Sequence, residues 1–322
     1  MRTSIPRRSL LAFISCVTLA PLAARADKPL RLIVPFPPGG ATDITARLIA
    51  EPLGRQLRRT VVVDNRPGAG GSLGMAEAAR AAPDGLTLAM ATLSTHGVNP
   101  AVYRKLPYDP VRDFAAVTEL VRAPGVLVVH PGLPARDVAE LVAHLKAKPN
   151  QVAYASPGNG TIGHMWAELF KSTTGTTMTH VPYRGAGPAL TDLIAGRTQV
   201  YFDQVASALP HVQAGKLRAL AVSWDTRLDI LPSVPTFREA GLTASNDPSW
   251  FGLVAPAGTP AEVVAKLQAA AAAAVREPAV AERLRELGLF PSGSTPQAFA
   301  AQVRQEIEKM RKVGEFAGIA LD

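Results

Sequence analysis

The sequence predicts an α/β protein built from two lobes, each a sheet covered by helices on both faces. The chain has 322 residues, of which 47% are hydrophobic. A chain of this length and apolar content is too large for one compact core. Short apolar strings rich in β-branched residues alternate with helical stretches, a pattern typical of mainly parallel sheets. No long linker interrupts the alternation, so we expect the chain to cross between the lobes more than once.

The predicted strands are short apolar strings bounded by glycine, proline or polar residues. They cover residues 30–35, 60–64, 86–91, 125–130, 152–155, 178–181, 199–202, 218–222 and 250–255. The predicted helices lie between them and show apolar residues at helical spacing. They cover residues 42–57, 73–81, 135–147, 163–173, 186–195, 206–214, 260–276, 280–287 and 296–312.

The domain boundaries follow from this order of elements. With one crossing near residue 128 and a return near residue 235, the first domain comprises residues 27–128 and 235–322, and the second comprises 129–234. The C-terminal helices then belong to the first domain. In open parallel sheets ligands bind where strands join helices, at the carboxyl ends of the strands. Those joins are therefore the predicted ligand-binding region.

The first 26 residues form a predicted secretory signal rather than part of the fold. A basic stretch ending in Arg7-Arg8 precedes an apolar run over 10–20, and Ala24-Arg25-Ala26 supplies small residues at a cleavage site. The apolar run is about half the roughly 20 residues that a membrane anchor needs. We therefore predict export with cleavage after Ala26. A loose twin-arginine pattern at Arg7-Arg8 and a loose lipoprotein pattern before Cys16 stay open as alternatives.

Composition argues against several classes of function. Cleavage would remove four arginines and no acids, so the formal charge would fall from +8 to +4. The remaining lysines and arginines are scattered and form no basic face interleaved with aromatics, so nucleic-acid binding is not expected. Cys16 is the sole cysteine of the sequence, so the mature chain should have neither disulfides nor thiolate chemistry.

The loop over 35–43, Pro-Phe-Pro-Pro-Gly-Gly-Ala-Thr-Asp, joins a predicted strand directly to a helix. Its glycines leave backbone amides unobstructed, and Thr42 or Asp43 can cap the helix. A helix N-terminus supplies free N–H groups and a partial positive charge, which suit a carboxylate or a phosphate. The Gly-Lys-Ser/Thr ending of a P-loop is missing. A glycine-rich turn without a ligand remains the alternative.

A second glycine-rich join over 65–74 contains a literal G-x-S-x-G motif around Ser72. This motif is the main argument for a secreted serine hydrolase. A nucleophile elbow needs its serine directly at the end of a strand, whereas the strand here is predicted to stop near Asp64. Ser72 is more simply the N-cap of the next helix. We keep the hydrolase as the alternative function.

Two later joins, over 92–100 and 156–164, are rich in short hydroxyls and glycine. Hydroxyls and bare amides can orient an acid in a cleft without burying an unpaired charge, so this composition favours binding over catalysis. The six histidines are widely spaced and form no H-E-x-x-H motif, so no metal site is expected. His96 and His164 lie in these joins, where they either face a ligand or support the loops from behind.

Arg184 and Asp203 follow two further predicted strands. The planar fork of Arg184 suits an anionic ligand, and it suits an acidic neighbour in the loop equally well. Asp203 fits beside an anion only if it accepts a ligand amine or fixes backbone amides. The sequence leaves both pairs of alternatives open.

Seven motifs together resemble the substrate-binding proteins of tripartite tricarboxylate transporters, the TctC or Bug family. They occur in family order over essentially the whole mature chain. The motifs are PFPPGGATD (35–43), NRPGAGG (65–71), STHGVNP (94–100), YASPGNGT (154–161), HVPYRG (180–185), GKLRALAVS (215–223) and SWFGLVAPAGTP (249–260).

The resemblance implies a periplasmic-binding-protein-like Venus flytrap fold, with two doubly wound α/β domains joined by crossing strands and closing on one carboxylate. It also implies a periplasmic protein without a cofactor, which acts as a monomer and delivers its ligand to membrane permease subunits or to a sensor protein. The displaced G-x-S-x-G motif and the scattered histidines argue against an enzyme. By position, the resemblance assigns residues to three parts of the cleft. Phe36, Gly40 and Asp43 belong to the first loop, Ser94 and His96 to a second, and Ser156, Thr161, Arg184 and Asp203 to the opposite lobe.

Overall fold

The computed structural model describes residues 28–322. The predicted leader, its cleavage site after Ala26 and Cys16 lie outside the described residues. The strands are β1 Leu30–Val34, β2 Val61–Asn65, β3 Thr87–Thr92, β4 Phe114–Ala123, β5 Gly125–Val129, β6 Ala153–Ser156, β7 Thr179–Pro182, β8 Val200–Gln204, β9 Arg218–Ser223, β10 Ser249–Pro256 and β11 Phe290–Pro291.

The helices lie between these strands and pack on both faces of the sheets. They are α1 Ala41–Leu57, α2 Ser72–Ala79, α3 Asn99–Val102, α4 Val138–Ala147, α5 Ile162–Thr174, α6 Ala186–Ile194, α7 Val205–Gln213, α8 Ala261–Arg276, α9 Pro278–Glu286 and α10 Pro296–Ala317. Short 3₁₀ turns cover Ala69–Gly71 and Thr243–Ser245, and a π-helical turn covers Ser94–Val98.

In the described part of the chain the strands form two sheets, which define two lobes. The first lobe has the six-stranded order β11-β4-β10-β3-β1-β2, and the second has the five-stranded order β7-β6-β8-β5-β9. The chain passes from the first sheet to the second at Pro124, between β4 and β5, and it returns between β9 and β10. Pro124 lies slightly before the predicted crossing near residue 128.

The expectation of mainly parallel sheets is wrong. β1 pairs in parallel with β2 and β3, and β6 with β7 and β8, but the other pairings between named strands of residues 28–322 are antiparallel. β4, β5, β9 and β10 carry the chain between the lobes, and none of them is paired with the strand directly before or after it in the chain, so none belongs to a single βαβ unit with its partner. Nothing therefore forces them to run parallel to their neighbours.

The predicted strands and helices are all present, but three elements were missed, namely β4, β11 and α3, and the last helix was predicted too short. The prediction omitted β4 because Thr118 and Glu119 interrupt its apolar string, although both are buried in the strand. Ser294 Oγ accepts the amide of Glu119 at 3.0 Å, and Gln302 of α10 donates to its carboxylate. The last helix, predicted to end at 312, continues to Ala317 and stops at Gly318, which has a left-handed φ of 68°.

The hydrophobic core extends through both lobes. One cluster joins the lobes and includes Leu127 and Phe202 of the second sheet together with Trp250 and Phe299 of the first lobe. α10 packs against both β4 of its own lobe and α5 of the other lobe. Among residues 28–322, no helix combines the length and the apolar character needed to cross a membrane.

Candidate functional site

A small cavity lies in the cleft between the two lobes and is called the inner cavity here. Its volume is about 30 Å³. Both sheets contribute to it through the loops at their strand ends. The lining residues are Phe36, Pro37, Gly40, Ala41, Thr42, Thr92, Ser94, Pro157, Thr161, Ile162, Ala186, Gln204 and Phe251.

Four helices begin at the inner cavity. α1 starts at Ala41 in the first lobe, and α5, α6 and α7 of the second lobe start at Ile162, Ala186 and directly after Gln204. The first N–H groups of a helix have no partner within the helix and carry a partial positive charge. The inner cavity is therefore surrounded by helix ends that favour an anion, and these come from both lobes.

The lining of the inner cavity holds no ionisable side chain among the residues that the structure describes. Its polar side chains are the hydroxyls of Thr42, Thr92, Ser94 and Thr161 and the amide of Gln204. An anion bound here would rely on backbone amides and hydroxyls, which satisfy its oxygens without a buried counter-charge. This chemistry suits the reversible binding of an anion.

Gly40 forms the start of α1, and the predicted cap by Thr42 or Asp43 is wrong. Gly40 is the N-cap residue, with φ −84° and ψ 165°, and no side chain caps the helix. The carboxylate of Asp43 instead turns back into the loop, where Oδ2 accepts the Gly39 amide at 3.0 Å and Oδ1 accepts Asn65 Nδ2 at 2.9 Å. The amides at the start of α1 thus remain unclaimed by side chains.

Asp43 holds the first loop in shape rather than lining the inner cavity. Burial opposes its ionisation, but hydrogen bonds from Arg47, Asn65 and the Gly39 amide outweigh this effect and keep the pKa of Asp43 below its ordinary value. Asn65 also donates to the carbonyl of Phe36 at 2.9 Å. The second glycine-rich join is thereby tied to the first.

Ser94 and His96 of the second predicted loop have different roles. Ser94 lines the inner cavity, and its Oγ accepts the backbone amide of Ile162 from the opposite lobe at 3.0 Å. His96 points elsewhere: it is fully buried, its Nδ1 lies 3.0 Å from Thr95 Oγ1, and its ring lies 5.2 Å from that of Phe114. Burial lowers the pKa of His96 to about 3, so this imidazole is neutral.

Ser156 and Thr161 flank the join between β6 and α5. Thr161 lines the inner cavity and donates through Oγ1 to the carbonyl of Gly158 at 2.7 Å, so it shapes the loop rather than capping α5. Ser156 is buried behind the loop. Its Oγ lies 2.6 Å from His180 Nε2 and accepts the amide of Gly158 at 3.2 Å.

Two histidines stack behind the same join. The rings of His164 and His180 are nearly parallel, with centroids 4.3 Å apart, and Gly160 donates its amide to His164 Nδ1 at 3.4 Å. Burial lowers the pKa of both, and the pKa of His180 falls to about 4. Both imidazoles therefore support the cleft loop in their neutral form.

Asp203 lies one residue before the position that lines the inner cavity. Its neighbour Gln204 lines the cavity, whereas Asp203 is buried and accepts a hydrogen bond from Ser207 Oγ at 2.6 Å. Burial raises the pKa of Asp203 to about 6, although the Ser207 hydrogen bond works in the other direction. Gln204, Phe251 and Ala186 are among the lining residues that were not predicted as site residues. Gln204 and Phe251 belong to segments singled out from the sequence, and Ala186 directly follows one.

A larger pocket adjoins the inner cavity and is called the outer pocket here. Its volume is about 270 Å³, and it shares Phe36, Pro37 and Pro157 with the inner cavity. Arg184 lines it. The remaining lining residues are Pro67, Gly68, Ala69, Gly70, Gly71, Tyr103, Gly158, Asn159, Pro182, Tyr183 and Gly185.

The two lobes are in contact around both pockets. Tyr103 Oη of the first lobe donates to the carbonyl of Asn159 at 3.0 Å, beside the Ser94–Ile162 hydrogen bond already described. Gly185 faces Pro37 so closely that a Cβ atom at this position would lie 2.6 Å from Pro37 Cδ. The structure therefore shows a closed cleft.

Ser72 does not lie on a nucleophile elbow. β2 ends at Asn65, and a 3₁₀ turn over Ala69–Gly71 separates it from Ser72. Ser72 is the first residue of α2, and Gly71 takes the N-cap position predicted for the serine. No hydrogen bond joins the Ser72 side chain to a histidine among residues 28–322, so the catalytic arrangement of a serine hydrolase is missing there.

The fold and the cleft define a class of two-lobed receptor that closes on a small solute. The family described as "Tripartite tricarboxylate transporter family receptor" (TctC) matches residues 45–318. The chain is 35% identical to Protein BugT of Bordetella pertussis over 295 residues, which cover 91% of this chain and 90% of BugT. It belongs to the TctC family.

Solved structures support the same assignment. Rpa4515 of R. palustris with adipate is 38% identical, has a TM-score of 0.88, and matches over 91% of this chain and 98% of its own. MatC of Rhodopseudomonas palustris with bound malate is 35% identical, has a TM-score of 0.85, and matches over 88% and 98%. The predicted family and two-lobed flytrap fold are confirmed. Because the family consists of transport receptors, the chain is a solute-binding protein and not an enzyme.

Proposed function

We propose that this protein is exported to the periplasm, binds a small organic carboxylate between its lobes, and delivers it to the permease of a tripartite transporter or to a sensor. The observation that carries this proposal is the inner cavity, where helix N-termini from both lobes meet and ionisable side chains are missing from the lining. Two similar proteins hold adipate and malate, which are both carboxylates. Cleavage after Ala26 and action as a monomer belong to this proposal.

The nine predicted site residues take different parts in the proposed site. Phe36, Gly40, Ser94 and Thr161 contact the ligand in the inner cavity, and Arg184 faces it from the outer pocket. The other four hold the cleft loops from behind: Asp43, His96, Ser156 and Asp203. The two domains meet at this site. The first crossing lies at Pro124 rather than near residue 128, because β5 belongs to the second sheet, and the return near residue 235 stays a prediction.

Thermal shift measurements with malate, adipate and other small carboxylates test the proposal. We expect at least one to raise Tm, since a ligand at a hundred times its Kd adds about 2.7 kcal/mol to the free energy of unfolding. Gly40→Val should weaken this effect. A Cβ at Gly40 would lie 3.4 Å from Ala186 Cβ, so alanine fits whereas the branches of valine crowd the amides.

Gly40→Ala is the matched control and should retain most of the shift. If Gly40→Val binds as tightly as the unchanged protein, the first loop is not part of the site. If no carboxylate stabilises the unchanged protein, the proposed ligand class is wrong.

A further inference from the structure

A third pocket, called the lateral pocket here, is formed entirely by residues of the first lobe. Its volume is about 100 Å³. Its wall consists of His96 from the π-helical turn, the loop before β4, and residues of β4, β10 and α10. It shares no lining residue with the inner cavity or with the outer pocket. The lateral pocket is therefore separate from the cleft.

A β-bulge and two small side chains open the lateral pocket. Leu253 of β10 pairs with Thr118 of β4, whereas the next residue, Val254, pairs with Ala116, so β4 carries one extra residue at this point. Ala116 and Ala300 both line the pocket, and their side chains are single methyl groups. Protein interiors are otherwise closely packed, so this space is left for a ligand rather than filled by larger side chains.

The charge of the lateral pocket favours an anion. Arg304 is the single charged residue of its lining among the described residues, since His96 is neutral. Within residues 28–322 the Arg304 guanidinium makes no hydrogen bond or ion pair. The acids of the neighbouring loop are engaged there: Asp109 Oδ1 accepts the amide of Val111 at 2.9 Å, and Asp113 Oδ2 accepts the amide of Asp109 at 2.7 Å. The free guanidinium suits a carboxylate.

His96 contributes to the wall and carries a buried polar atom without a partner. Its Nδ1 lies 3.0 Å from Thr95 Oγ1, but its Nε2 has no hydrogen-bond partner among residues 28–322, although the residue is fully buried. Buried polar side-chain atoms are nearly always hydrogen-bonded, so an unpaired one points to a further partner. A hydroxyl group suits this nitrogen in either tautomer of the ring, because a hydroxyl both donates and accepts.

The size of the lateral pocket limits the length of the ligand. Its remaining walls are apolar and include Phe114, Val254 and Val303. A cavity of about 150 Å³ accepts benzene, so a pocket of about 100 Å³ accepts a smaller apolar body, on the order of three or four carbons. A carboxylate, a short apolar body and a hydroxyl together match the guanidinium, the walls and the histidine.

We propose that the lateral pocket binds a short hydroxy acid, whose carboxylate pairs with Arg304 and whose hydroxyl forms a hydrogen bond with Nε2 of His96. This site goes beyond the proposed function, because it is a second site that can be filled together with the cleft. Since one lobe supplies the whole wall, binding there does not require the cleft to close. Arg304 is exposed, so its pairing with the carboxylate is weakened by salt.

The test titrates γ-hydroxybutyrate and butyrate into the full mature protein and follows the ring nitrogens of its histidines by NMR. The His96 signals are assigned by their loss in His96→Asn, and their shift reports the affinity of the lateral pocket alone. We expect γ-hydroxybutyrate to shift the Nε2 signal and to bind about fivefold more tightly than butyrate, because it gains one hydrogen bond. Arg304→Gln should weaken both acids about fivefold, and this loss should shrink as salt is added.

Three further variants complete the test. Arg311→Gln is the matched control for charge, because it removes a guanidinium from the same helix outside the lateral pocket, and it should change neither affinity. Gly40→Val is directed at the cleft and should leave the His96 shift intact. Ala300→Leu should abolish the shift, because the longer side chain fills the pocket.

Three results would overturn the lateral site. The first is a His96 signal that γ-hydroxybutyrate leaves unchanged, and the second is an affinity that Arg304→Gln does not alter. The third is loss of the His96 shift in Gly40→Val, since the shift would then come from the cleft. Binding of malate or adipate in the cleft is measured separately by the thermal shift, so the proposed function and the lateral site can fail independently.

Discussion

Replacing Gly185 with alanine is expected to lower the affinity for the ligand by about fivefold to 150-fold, because forced overpacking of this kind costs roughly 1–3 kcal/mol. A Cβ at Gly185 would lie 2.6 Å from Pro37 Cδ and closer still to Cγ. Pro37 belongs to the opposite lobe, so the clash exists only when the cleft is closed. The variant should fold and remain open, and calorimetry of ligand binding measures the loss.

Backbone strain must be separated from the clash, since Gly185 has a φ of 109° that alanine adopts poorly. Pro37→Ala is the rescuing change. It removes Cγ and Cδ and leaves Cβ at 3.7 Å from the new methyl group, which is ordinary contact. The double variant Gly185→Ala/Pro37→Ala should recover most of the affinity. If it binds as poorly as the single variant, strain in the loop and not the clash between lobes is responsible.

A second control addresses stability. Gly175 also has a positive φ, 62°, and a Cβ there would meet no atom within 4 Å. Gly175→Ala therefore carries strain without any contact across the cleft. We expect it to lower Tm slightly and to leave affinity unchanged, whereas unaltered binding in Gly185→Ala itself would contradict closure at this contact.

Sequence periodicity located most strands and helices of both lobes, but it missed β4 and did not set strand direction. Parallel and antiparallel strands can share the same apolar pattern, and the distinction depends on which strands carry the chain between lobes. β4 shows the limit most clearly. Its Glu119 is buried because Gln302 and Ser294, more than 170 residues later, provide its partners. No local pattern could indicate that.

The parts of the candidate site that are formed by backbone amides were predictable from the sequence. The parts that depend on the direction of a side chain were less so. Gly40 and Ser94 follow from strand-to-helix joins, which meet at one edge of a sheet. Asp203 and Gln204 differ by one residue, and successive side chains of a strand point to opposite faces. The sequence singled out the charged residue, and the structure gives the lining position to the neutral one. His96 was similarly placed in the correct loop, but the π-helical turn buries it away from the inner cavity.

His96 and Asp203, which are both buried, lead to opposite expectations for the pH dependence of stability. His96 is neutral in the folded protein, with its pKa lowered from 6.5 to about 3 by burial. The unfolded chain binds this proton more readily, so stability is lost as pH falls below about 6.5. Between about pH 6.5 and pH 5 the loss from His96 should be roughly 1.5 kcal/mol.

Asp203 has the reverse sign. Its pKa is raised from 3.8 to about 6, so in this window the folded protein binds more protons than the unfolded chain. Its contribution to stability therefore improves as pH falls through about 6, by roughly 1 kcal/mol between pH 6.5 and pH 5. The two effects partly cancel in the unchanged protein, which conceals both.

Two amide variants separate these contributions. His96→Asn keeps a polar atom near Thr95 and removes the titrating ring, so the loss of stability on acidification should become shallower. Asp203→Asn keeps an acceptor for Ser207 and removes the titrating carboxyl, so the loss should become steeper. Urea unfolding of each variant at several pH values gives the dependence of the free energy of unfolding on pH. A change in stability that is the same at every pH does not alter this dependence. If both variants changed the pH dependence of stability in the same direction, the assigned burial and protonation states would be contradicted. Folding would then have to shift the pKa values of His96 and Asp203 in the same direction.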